Sequence, residues 1–72
     1  MSASIRLFPQ FNPYELPVRW GKAYSSAAKA IAKAKTLHAV SVEVRDTNKP
    51  YSTGLITILK GGKDVIAATA GA

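Results

Sequence analysis

The chain has 72 residues, 47% of them apolar and 19% charged, a composition that supports one small folded domain and excludes a large core. Ten Lys and Arg against four Asp and Glu leave a net charge of +6, which favours an anionic partner; the plain alternative is charge that only keeps a small protein dissolved. With no cysteine the chain has no disulfide, thiolate metal site or cysteine nucleophile, and no apolar run approaches the roughly 18 residues of a membrane span.

These features predict a soluble cytoplasmic protein that does not enter a membrane, and Pro9, Pro13 and Pro17 interrupt the stretch in which a signal peptide would carry its apolar centre. The charge is uneven. Residues 1–38 hold six basic side chains and one acidic, whereas residues 39–72 hold four and three.

In chain order, Ser4 to Phe8 alternates weakly and stops at Pro9, which predicts a short strand at a sheet edge, where a missing N–H does no harm. Gln10 to Pro13 reads as a loop. Tyr14 to Trp20 places Leu16, Val18 and Trp20 on one side of an extended segment that Gly21 ends, so residues 1–20 are expected to form an edge strand or extended arm.

A helix follows, with Ser25 or Ser26 as its N-cap. Ala27, Ala30, Ile31, Ala34 and Leu37 share one face at 100° per residue, and Lys29, Lys33 and Thr36 share the other, with Lys35 flanking the apolar stripe. The small alanines suit close docking on a sheet better than membrane insertion.

Val40, Val42 and Val44 alternate with Ser41, Glu43 and Arg45, which predicts a strand with its valines toward the helix. Asp46 to Pro50 supplies turn residues, so Leu55 to Leu59 should return antiparallel. That run is apolar on both faces, as expected of a central strand or of one offering a face to another subunit. Gly61-Gly62 predicts a tight hairpin into a last strand, Lys63 to Ala68, with Thr69 to Ala72 fraying.

The expected fold is therefore a single small two-layer α+β domain over residues 1–72. One α-helix packs on an antiparallel sheet of three to five strands in the order β-β-α-β-β-β.

Chemistry is sparse. His38 is the only histidine and follows the helix, where a cation meets the helix dipole favourably. Glu43 and Asp46 lie three residues apart in a strand, so they point to opposite faces and cannot act as an acid and base pair. Neither a metal cluster, a cofactor motif nor a nucleophile with its base is recognisable, and Gly61-Gly62-Lys63 lacks the glycine spacing and following helix of a phosphate-binding loop. The sequence predicts a protein that is not an enzyme.

The binding candidates are Arg19, Lys22, Lys29, Lys33 and Lys35, with Trp20 and Tyr24 interleaved. Lys22, Lys29 and Lys33 make one stripe if helical phase extends back through Lys22, and such a stripe can follow phosphates while aromatic rings stack on bases. Against this, Trp20 is better read as filling the core beneath the helix. Lys49 and Tyr51 in one turn, and Lys60 and Lys63 around the next, are secondary candidates or charges that guard sheet edges.

The leading expectation is a small basic binding module that contacts nucleic acid or a nucleoprotein. A second is a phage or mobile-element accessory or inhibitor protein that binds an acidic protein surface; the layout is similar, in topology alone, to compact phage anti-CRISPR proteins that set one helix on an antiparallel sheet. A third is a self-assembling component, a homodimer formed through Leu55 to Leu59 and Val65-Ile66.

Overall fold

The computed structural model describes residues 3–66. Its elements are β1 (Ile5–Gln10), β2 (Trp20–Tyr24), α1 (Ala27–Ala34), β3 (Ser41–Asp46), β4 (Leu55–Lys60) and β5 (Lys63–Ile66). The strands form one antiparallel sheet in the order β2-β1-β3-β4-β5, with α1 lying across β1, β2 and β3 on one face. The expected α+β layout and element order are found. The continuation to Ala68 and the fraying of Thr69 to Ala72 fall outside the described residues.

The core follows from alternation. Leu7 and Pro9 of β1 stand opposite Val44 and Val42 of β3, and these in turn stand opposite Thr57 and Leu59 of β4. All six side chains are buried beneath α1, whose Ala30 and Ala34 are fully enclosed. Ala27, Ile31 and Leu37 pack against this core, so the apolar stripe read from helical phase is the docked one. Alanine at the contact lets the helix backbone approach the sheet closely.

Three N-terminal expectations are corrected. β1 is not an edge strand; it lies between β2 and β3 and runs through Pro9. The ladder tolerates this proline because a strand residue's N and C=O point to the same side. Pro9 accepts from the Val18 N–H (3.1 Å) on the side away from β3, where pairing with β2 has already ended at Leu7 and Trp20. Gly21 does not end an extended segment but sits inside β2. Its φ of +70° supplies the irregularity by which Trp20 to Tyr24 faces only Ile5 to Leu7. Tyr14 and Leu16, expected on an edge strand or extended arm, belong to no strand and lie in an exposed connection between β1 and β2.

Toward the other end, β3 begins at Ser41, and Val40 remains outside it, donating its N–H to the Gln10 carbonyl (2.8 Å). β4 is paired on both sides as its apolar character requires, although β3 occupies the middle of the sheet. Gly61 and Gly62 both have positive φ, +59° and +83°, the backbone of a type I′ turn. A Cβ on Gly62 would also lie 3.0 Å from the Lys35 carbonyl oxygen, so this turn abuts the C-terminal end of α1.

Asp46 closes the opposite end. Its Oδ1 accepts from the Asn48 N–H (3.0 Å) and the Ser4 hydroxyl (2.8 Å). These bonds, the Asn48 N–H foremost, hold the carboxyl below its ordinary value of 3.8. A depressed folded value means that the stabilisation is complete above the ordinary value and is withdrawn as pH falls through the folded one. Thermal melts should therefore show the parent losing Tm on acidification below about pH 4, with Asp46→Asn losing less over the same range.

Candidate nucleic-acid interface

Ser26 caps α1 as expected, its hydroxyl accepting from the Lys29 N–H (3.3 Å). The helix is shorter than its apolar period, ending at Ala34. The Lys35, Thr36 and Leu37 N–H groups close the last carbonyls, donating to Ile31, Lys33 and Ala34. His38 is exposed beyond this closure, and the last carbonyls are met by backbone N–H groups.

Lys29, Lys33 and Lys35 are exposed on the solvent side of the helix. No acidic residue occupies the first turn, so Lys29 faces the positive end of the dipole without a compensating carboxylate. Lys29 and Lys33 also repel across one turn, at a cost of about 0.2–0.5 kcal/mol. Lys33, in the last turn, and Lys35, at the C-cap, suit the negative end of the dipole, so their position there has a local reason as well.

Lys22 joins this surface by a route the helical period did not show. It is not on a helical extension but on β2, which packs beside α1. Its ammonium lies 5.8 Å from the centre of the Tyr24 ring, and the Lys33 ammonium lies 5.2 Å from that of Trp20. Both aromatic side chains pack against the core. Two lysines, one from each element, are thus seated on two half-buried rings of the same strand, which fixes their charges along the α1–β2 seam. Arg19 is exposed just before β2. The rings are engaged as supports, so Trp20 is a core residue here and not a free stacking platform.

The secondary candidates do not extend the seam. Lys60 stands opposite Lys63, and Lys60 follows the inward-facing Leu59, so this pair lies on the sheet face away from α1. Lys49 and Tyr51 lie in the β3–β4 connection at the end of the sheet opposite the Gly61-Gly62 turn. Tyr51 instead stacks on Arg45, whose guanidinium carbon is 4.0 Å from the ring centre. Arg45 also donates to Glu43 (2.7 Å) and to the Tyr51 carbonyl (2.9 Å). Sequence reasoning passed over Arg45; its signal was the Glu43 two residues before it, on the same face of the strand.

Glu43 to Arg45 is the one ion pair among the residues whose side chains are described, so Glu15, Glu43 and Asp46 neutralise none of Lys22, Lys29, Lys33 and Lys35. Among the same residues no three His, Asp or Glu side chains gather as metal ligands, and no helix is long and apolar enough to cross a membrane. Glu43 faces away from the helix while Asp46 pairs with Ile5 on the other face, as their spacing requires. Comparisons of the chain with family models, curated proteins and solved structures find no match.

Proposed function

We propose that this protein is a small non-catalytic cytoplasmic module that contacts nucleic acid, free or within a nucleoprotein, through the lysines of α1 and β2. The reading is carried by one observation: Lys22 and Lys33 are seated along the α1–β2 seam, Lys29 is exposed one turn before Lys33 and Lys35 on the other flank of the helix, and Glu15, Glu43 and Asp46 pair with none of them. An external polyanion would relieve the repulsion between Lys29 and Lys33. It would also displace counterions as each ammonium meets a phosphate.

Trp20 and Tyr24 are occupied in packing, and lysine is a point charge that reads no base edge. Recognition is therefore of the phosphate backbone, with little sequence preference. Anisotropy titrations with duplex and single-stranded DNA and RNA at low and near-physiological salt test this. Four phosphate contacts predict a log–log salt slope of about −3.6 on duplex DNA and about −2.8 on single strands. Absence of binding at low salt, or binding insensitive to salt, would remove the reading.

A further inference from the structure

The sheet has α1 on one face only. Its other face carries Phe8, Glu43 and Ile58 in a row across three strands, and beside them lies a groove of about 420 Å³ walled by Leu16, Pro17 and Tyr51. Leu16 is 85% exposed and Tyr51 72%, and Tyr14 in the same β1–β2 connection is 95% exposed. A chain with so small a core gains little by leaving these groups in water.

The charges on this face have a direction. At the Gln10 end, the residues opposite one another are Gln10 and Ser41 on β1 and β3, then Lys60 and Lys63 on β4 and β5. Gln10 donates to the Glu15 carbonyl, so the 11–19 connection sits over β1 on this face, with the Glu15 carboxylate accepting from the Asn12 amide. Acid therefore lies over β1 and two lysines on β4 and β5, two and three strand spacings away, roughly 10 and 14 Å, and no ion pair joins Glu15 to either lysine. Lys60 and Lys63 meanwhile face each other as like charges.

We infer that the open sheet face is the contact of a symmetric homodimer whose two-fold axis runs along the strands. At the Gln10 end, where β2 no longer pairs with β1, rotation about that axis carries β1 of one copy over β5 of the other, so Glu15 meets Lys60 and Lys63 of its partner twice over. The strands of the two sheets then run nearly aligned, as in packed sheets generally, and Leu16 and Tyr51 are covered. The molecule measures 32 × 24 × 20 Å, so its broad face is of the order of the ~800 Å² per partner that stable interfaces bury. The alternative contact, α1 against α1, would oppose the two lysine surfaces. This assembly leaves the helix face outward and holds whether or not that face binds nucleic acid. Of the Leu55 to Leu59 run read from sequence as a contact, it uses the outward Ile58, since Ile56 and Leu59 are buried within the chain.

Sedimentation velocity on the full chain from micromolar to millimolar concentration tests the contact, with circular dichroism confirming that each variant folds. The parent should reach twice the mass of one chain. Glu15→Lys should return it to a single chain, as should the pair Lys60→Glu and Lys63→Glu, and the three substitutions together should restore the dimer. A parent that stays monomeric, a dimer indifferent to Glu15→Lys, or a failure of the combined charge swap to restore association would overturn the proposal.

Discussion

Replacing Lys29 and Lys33 together with alanine is expected to weaken duplex binding roughly 60-fold at 0.1 M salt and to make the salt slope shallower by about 1.8, since each lost phosphate contact removes about 0.9. The fold should hardly register the change. Removing the pair relieves about 0.2–0.5 kcal/mol of repulsion, while the ammonium seated on Trp20 contributes roughly 0.5–1 kcal/mol that is lost. Alanine is the better helix former at both positions, which offsets the remainder. A binding loss with unchanged Tm thus isolates the charges from the scaffold. An unchanged salt slope would show that these lysines touch no phosphate.

Leu7→Ala is expected to cost about 2–5 kcal/mol, because the side chain is fully buried between Val44 and Trp20 on the strand beneath the helix. A chain of this size is stable by only about 4–11 kcal/mol, at ~0.05–0.15 kcal/mol per residue. The melt should fall by roughly 10–40 °C or lose its transition altogether. Val40→Ala, at a residue 42% exposed and outside the strand, should shift it far less. Similar melts for the two variants would contradict the packing described here.

Much of the architecture was legible because its signals are local. The alternation of Val42 and Val44, the Ser26 cap, the alanine stripe of α1 and the paired glycines each act within a few residues, and each is found where the pattern put it. What escaped depends on which strand lies beside which. Pro9 argued for an edge, but its interior place is tolerated only because β2 stops pairing at Trp20, and nothing near Pro9 in the chain announces that. Gly21 carries a strand irregularity and reads locally as a terminator.

The candidate site divides the same way. Lys29, Lys33 and Lys35 were readable from helical phase. Lys22 reaches the same surface through sheet packing, and Lys60 and Lys63 are sent to the far face by a register set in the folded sheet.

The central claim is that the α1–β2 lysine seam, and not the open sheet face, receives the nucleic acid. Amide-resonance mapping of the labelled protein during titration with a short duplex at low salt tests it most directly. The account predicts shifts concentrated at Lys22, Lys29, Lys33 and Lys35 that reverse on adding salt, with Phe8, Glu43, Arg45 and Tyr51 unmoved. Shifts centred on those four sheet residues, or none anywhere, would contradict it.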